Sequence, residues 1–489
     1  MSWRAKCLVY IPTDISQLPS VFDLGLTIDN CFERYWSHIV HLTGRDLIIK
    51  SFNHESVERV PWIPYTGIQV GSLTHTPANE LLMNEDLLFS SLMEAHKLYG
   101  PDGMPIIFDL QIEAEILGCD LAWAEKAPPS VKNHPLESTK VIPTKMPSKN
   151  DGRLPLVLNV MEKMKQAVGE TTALYGLVCG PLTLASHLRG MNLFMDMYED
   201  EKYVHDLIDF CTDVSLQVSQ YYIEAGMDVI AVVDPMVSLI SPVSFQQYLS
   251  EPYSKIFTKL REQKTYSGFF VCGDATKNMD VMCNTHPDSI SIDENIDIIA
   301  AKRITDAHNI VISGNIPLTT VMMLGTQQDN QKFAIDLINN LGTKNFTLAP
   351  GCDMPYDVPS ENIIGIAQAV QNPQATATFL KDYQKEDLKI EVTMPDYENL
   401  SKPLIEIFTI DSATCAACGY MTEAAMEMKL IFGDKVDIIE RKITEAENVA
   451  KLEIIGLKNL PSLLINGEAK FISMIPSRPE LKLEIEKYL

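Results

Sequence analysis

Short, continuous apolar runs alternate with longer stretches of helical spacing from Gly44 to about residue 372. The clearest runs are ALYGLVCG (173–180), MDVIAVVDP (227–235), SGFFVCG (267–273), DSISID (288–293), NIVISGN (309–315) and FTLAPGC (346–352). Most lack the in–out alternation of a half-exposed sheet, as strands buried on both faces do. Upstream, GRDLIIKSFNHESVERVPWIP predicts a helix, a turn and the start of an earlier strand. Repeated strand-then-helix units imply parallel strands with right-handed crossovers. The pattern therefore predicts an α/β fold of the (β/α)8, or TIM-barrel, type, with an open doubly wound sheet as the alternative. Active sites of such barrels form at the C-terminal strand ends, and Cys179, Asp234, Cys272, Asp293, Asn315 and Cys352 stand there. Asp and Asn also end strands and cap helices for purely structural reasons.

The rhythm breaks at Pro373. Residues 373–403 are polar and charged, with Pro373, Pro395 and Pro403, and read as a linker with a terminal helix in TFLKDYQKED. A second pattern follows over 404–489. LIEIFTI is a strand, Cys415-Ala-Ala-Cys418 opens a helix, and VDIIERKI is a strand followed by a helix to Gly456. SLLING and KFISMI are two further strands, and a closing helix starts near Arg478. This order, β-α-β-α-β-β-α, resembles the thioredoxin-like fold. The expected organisation is an N-terminal extension (1–43), a barrel (44–372), the linker and a small second domain.

Composition narrows the function classes. A formal charge of −25 argues against nucleic acid, whose phosphates require clustered Lys and Arg. No apolar stretch is long enough to span a bilayer, and the opening residues lack the layout of a secretory signal. Ten cysteines scattered along a long chain fit reduced thiols in a cytoplasmic setting.

Several blocks of the large domain resemble the corrinoid-dependent branch of the uroporphyrinogen decarboxylase and methylcobamide methyltransferase superfamily. They are GRDLIIKSFNHESVERVPWIP, FDLQIEAEILGCDLAW (108–123), GPLTLASHL (180–188), DPMVSLISPVSFQQYLSEPY (234–253), SGNIP (313–317) and LAPGCDMP (348–355), in that order. The resemblance implies a barrel that moves a methyl group between a corrinoid, carried by a partner protein, and a small thiol or other acceptor. It further implies a zinc held by a His-x-Cys pair and a later Cys. Residues i and i+2 of a strand share a face, and three protein ligands leave one position of zinc open for a thiol. Cys272 and Cys352 match the two cysteines, but Phe270 replaces the histidine. Asp274, or Glu113, Glu115 or Asp234, is a conceivable further ligand; ordinary buried thiols are the structural alternative. Glu113, Asp234 and Asn315 are the candidate substrate-binding residues.

Porphyrinogen decarboxylation would require an arginine-rich opening to hold carboxylates, and only Arg45 and Arg59 are present there. Asp306-Ala307-His308 lacks the glycine that a cobalt-ligating motif would place at 311, where Val stands, and His308 is expected at the surface. In the small domain, a thiol at a helix N-terminus is activated by the unpaired amides. Cys415 is then the nucleophile, Cys418 the resolving thiol, and Pro461 matches the cis-proline beside a thioredoxin-like dithiol. No second CxxC or CxxH accompanies them to complete a structural zinc site. The competing reading of the whole chain is a metal-free docking or redox protein of a corrinoid methyl-transfer system.

Overall fold

The computed structural model describes residues 42–384, 392–410, 416–457 and 459–489. Helix α1 (Gly44–Phe52) opens the large unit, capped by Thr43, which accepts from the Asp46 amide while Asp46 reaches back to Thr43. Seven parallel strands follow: β1 (Gly103–Pro105), β2 (Ala173–Cys179), β3 (Val229–Val233), β4 (Tyr266–Val271), β5 (Ser289–Ile292), β6 (Val311–Ile316) and β7 (Phe346–Pro350). Each is hydrogen-bonded to the next, in chain order. Helices fill the crossovers, as parallel neighbours demand.

The segment around Trp62 links the two edges of this sheet. The Ile63 amide donates to Leu348 O on β7, the Leu348 amide donates to Pro61 O, and the amides of Asp102 and Gly103 donate to Trp62 O. Thus the edge strands are joined through one short stretch, and the sheet curls into a TIM-like barrel. Asp102 fixes that stretch. Its carboxylate, 3 % exposed, accepts from the Trp62 amide at 2.8 Å and pairs with both terminal nitrogens of Arg59.

Alternation along each strand sorts the core into two layers. Tyr175, Leu177, Val229, Ala231, Val233 and Phe270 point into the barrel. Leu174, Val178, Ile230, Val232 and Phe269 pack outward under the helices. The six runs named from the sequence are all strands, whereas the earlier strand expected at the end of GRDLIIKSFNHESVERVPWIP is only a single bridge between Trp62 and Leu348. The additional strand, β1, is three residues long and too short to produce a pattern. In the linker a helix spans Pro373–Phe379, started by Pro373 and with Thr376 buried; the end of the helix expected in TFLKDYQKED lies outside the described residues. Among the described residues no helix is long and apolar enough to cross a membrane.

The second unit of sequence forms a separate four-stranded sheet. β8 (Leu404–Thr409) pairs in parallel with β9 (Asp437–Lys442) and antiparallel with β10 (Ser462–Ile465), which pairs with β11 (Glu468–Ile472). Helices α2 (Ala416–Phe432), α3 (Ala446–Ile455) and α4 (Arg478–Glu486) complete it. The Leu460–Pro461 peptide is cis. The sheet covers an apolar layer that includes Ile405, Ile407, Met421, Met428, Leu463 and Leu481.

Removing the Asp102 carboxylate isolates the ring-joining contact. Asp102→Ala is expected to destabilise the protein by about 3–5 kcal/mol, the cost of breaking a buried, hydrogen-bonded ion pair, measured by urea denaturation. A loss below about 1 kcal/mol, the scale of a surface pair, would show that the Trp62 segment is held by other contacts.

Candidate active site at the barrel mouth

Strand β4 ends at Val271 and β7 at Pro350, so Cys272 is the first residue beyond its strand end and Cys352 the second beyond its own. The structure brings them together as a disulfide, with Cα atoms 6.0 Å apart. This differs from the reduced thiols expected from composition. Both cysteines are half-buried and rest on the interior aromatic cluster. Glycines shape the two turns. Gly273 has φ +90°, a left-handed conformation that costs glycine little. At Gly351 a Cβ would come within 2.8 Å of the Glu294 amide nitrogen.

Phe270, at the position where the resemblance implies a histidine, is 1 % exposed. Its ring lies 4.8 Å from that of Tyr65 and 5.5 Å from that of Phe108, centroid to centroid. The Tyr65 hydroxyl in turn hydrogen-bonds Ser291 Oγ at 2.8 Å and Ser313 Oγ at 3.0 Å. An apolar floor beneath the cysteine pair replaces an imidazole.

The remaining predicted residues have structural partners. Asp234 is fully buried; it accepts from the amides of Leu182 and Thr183 and from the hydroxyls of Thr183 and Tyr253. It thus anchors the first turn of the helix Pro181–Arg189. Burial pushes its carboxyl up to about 6. Glu113 accepts from the Cys179 amide at 3.0 Å, and burial pushes it up to about 7. Asn315 donates to the carbonyls of Asp293 and Ile296, tying down the turn after β5. Asp274 accepts from Thr276 and from Asn459 of the C-terminal unit. Cys418 is buried and disulfide-bonded, and Cys415 lies outside the described residues. His308 is partly exposed and faces Asp280 at 3.5 Å.

Sequence reading missed three groups at this mouth. Glu294 and Asp353 flank the Cys352 turn, and burial holds both carboxyls well above the ordinary range. Asp353 accepts from the Gly67 amide at 2.8 Å. Arg153 pairs with Asp109 at 2.5 Å and Glu115 at 2.8 Å, and its Nη2 has no partner among the described residues. Asp353 lies within the LAPGCDMP block and directly follows Cys352; Arg153 carries no local signal.

A zinc does not fit this arrangement. The two cysteines are bonded to each other, Phe270 offers no donor, and Asp274 is engaged elsewhere. Among the described residues no group of three His, Cys, Asp or Glu side chains is placed to hold a metal.

Comparison with known proteins places the barrel in a family. The uroporphyrinogen decarboxylase (URO-D) model matches residues 43–373. The chain belongs to this family. A methylcobamide:CoM methyltransferase of Methanosarcina acetivorans is 27% identical over 340 residues, covering 68% of this chain and 98% of the relative. A uroporphyrinogen decarboxylase of Prochlorococcus marinus is 24% identical over 334 residues, covering 65% and 93%. A solved methyltransferase from Methanosarcina mazei superposes with a TM-score of 0.62 at 23% identity, covering 68% of this chain and 99% of that one. The URO-D match thus ends where the linker begins, and the C-terminal sheet lies outside it.

Two measurements probe this site. An unfolded Glu titrates near 4.5 and Glu113 in the fold near 7, so its burial is free of charge below pH 4.5 and is penalised as pH rises through 7. Glu113→Gln is therefore expected to remove a pH-dependent loss of up to about 3 kcal/mol between pH 4.5 and 8; equal pH slopes for both proteins in chemical denaturation would refute the assignment. Elemental analysis of anaerobically purified protein should find no stoichiometric zinc. Phe270→His with Cys272 and Cys352 reduced should gain about one zinc per chain, by completing three ligands.

Proposed function

We propose that the barrel is a corrinoid-dependent methyltransferase, moving a methyl group between a corrinoid protein and a small thiol or other acceptor. The observation that carries this reading is the convergence of Cys272 and Cys352 at the mouth, in a barrel that aligns with nearly the full length of a methylcobamide:CoM methyltransferase. In the transfer direction towards a thiol, a thiolate attacks the methyl carbon. The sulfur–carbon bond forms, the carbon–cobalt bond breaks, and its electron pair stays with cobalt. The reduced cysteine pair holds the acceptor at the strand ends, above the apolar floor of Phe270, Tyr65 and Phe108. Exclusion of water there favours a nucleophile set against a neutral methyl group.

The C-terminal unit reads as a thioredoxin-like redox module, with Cys415 as nucleophile, Cys418 as resolving thiol and Pro461 beside them. Its support is the strand order β9-β8-β10-β11 with flanking helices and the buried, disulfide-bonded Cys418. In this reading the reducing cytoplasm supplies the thiols that return the module to its dithiol form.

A second reading, a metal-free docking or redox protein of the same methyl-transfer system, draws on Phe270 and on the lack of a third ligand among the described residues. Decarboxylation of a porphyrinogen is disfavoured by the arginines themselves. Arg45 is bound to Asp228 at 2.8 Å and Arg59 to Asp102, so neither is free to hold substrate carboxylates.

Methyl transfer from methylcobalamin, or from a methylated corrinoid protein, to a thiol is followed by the absorbance of the cobalt product. Cys272→Ala is expected to lower the rate by about 100-fold or more, as loss of a group at the reacting centre does. Wild-type rates in that variant would remove the cysteine pair from the reaction; no transfer by the wild type with any acceptor thiol would favour the docking reading.

A further inference from the structure

The C-terminal unit is seated on the face of the barrel that carries the cysteine pair. Its contacts fall on segments that follow strand ends. Tyr420 on α2 donates to Ser186 O at 3.1 Å, in the helix after β2, and its ring lies 6.3 Å from that of His134. Helix α2 packs against the short turn Pro235–Leu239 that follows β3. Asn459 Nδ2 donates to Asp274 Oδ2 at 3.1 Å, after β4. Leu324, after β6, packs on the apolar group of Phe408, Leu460 and Leu464.

The surface used is the end of the small sheet that carries the Pro461 turn. Ser462 pairs with Phe408, so the Pro461 turn and the end of β8 share one edge, and Cys418 stands in the first turn of α2. Cys418 is two residues before Tyr420, about 3 Å along a helix axis. Asn459 is two residues before Pro461, and Asp274 two after Cys272, each a reach of about 7 Å at most. The barrel's disulfide and the Pro461 turn are therefore linked by one direct contact, from Asn459 to Asp274, while Cys418 stands on the helix that packs beside it.

We propose that the Cys415/Cys418 dithiol is the intramolecular reductant of the Cys272–Cys352 disulfide, converting the barrel mouth between an oxidised, closed form and a dithiol form able to take part in methyl transfer. This rests on the reading of the C-terminal unit as a redox module. The Cys415 thiolate attacks one sulfur of the barrel disulfide, forming a mixed disulfide and releasing the other cysteine as thiolate. Cys418 then attacks Cys415, closing the module's disulfide and releasing the second barrel thiolate. Two electrons pass from the module to the barrel, and the proton from each module thiol ends on a barrel thiolate or solvent. An external thiol, two equivalents oxidised to one disulfide, restores the module.

The test uses the full chain. Cys418→Ala should accumulate a cross-link between Cys415 and Cys272 or Cys352, found by mass mapping of non-reduced peptides. In Cys415→Ser, reduction of Cys272–Cys352 by limiting dithiothreitol, followed by differential alkylation, should slow by about tenfold or more relative to wild type, because exchange then depends on outside thiol alone. Matching circular dichroism and thermal midpoints establish that the variants fold. No cross-link together with a wild-type reduction rate overturns the relay even when Cys415 and Cys418 still cycle. A Cys415/Cys418 pair that does not cycle in the wild type overturns the redox-module reading itself.

Discussion

The Asp102 carboxylate, holding the Trp62 amide and the Arg59 guanidinium, is the contact on which the mouth depends. Without the Pro61–Ile63 stretch between β7 and β1, the sheet has two open edges. Cys272 follows β4 and Cys352 follows β7, three strands away. In a flat sheet that separation is about 14 Å, at 4.8 Å per strand. The observed 6.0 Å between their Cα atoms is reached because the sheet curls until strand ends face one another across the barrel. Ring closure and cysteine pairing are two views of one geometry.

Burial at the mouth then explains why a disulfide sits comfortably there. Asp109, Glu113, Asp234 and Asp293 are all buried, and Glu294 and Asp353 stand beside them with carboxyls pushed strongly towards the neutral form. Arg153 is paired with two carboxylates. Thiolates at this half-buried mouth, above an apolar floor, would lose hydration. A disulfide carries no charge and avoids that cost. In the reduced form the thiols need a substrate or a proton to offset the same environment, which makes the redox state of the pair a property of the site and not of the cysteines alone.

Strand positions were legible because buried parallel strands are continuous apolar runs of distinctive composition. The C-terminal unit was legible element by element, including the cis peptide before Pro461. The three-residue β1 and the Trp62 bridge were not, since neither is long enough to show a period. At the site, the matching of Cys272 and Cys352 to one place was readable from strand-end position, but their bond was not, because it depends on curvature. Asp234 and Asn315 illustrate the limit most clearly. A carboxylate that caps a buried helix and one that faces a substrate look identical in sequence, and only the four donors around Asp234 distinguish them. Arg153 reaches the mouth from the residue preceding a helix, far from any strand end.

The hydrogen bond from Asn459 to Asp274 carries one more consequence. It joins two parts of a single polypeptide, so any reaction between them proceeds at a fixed effective concentration, in the millimolar range or above for a short tether. Dilution of the protein leaves that encounter rate unchanged, whereas every competing thiol in solution loses ground as its own concentration falls. Fusion therefore gives the mouth a private neighbour whose supply does not depend on how much of either partner the cell makes.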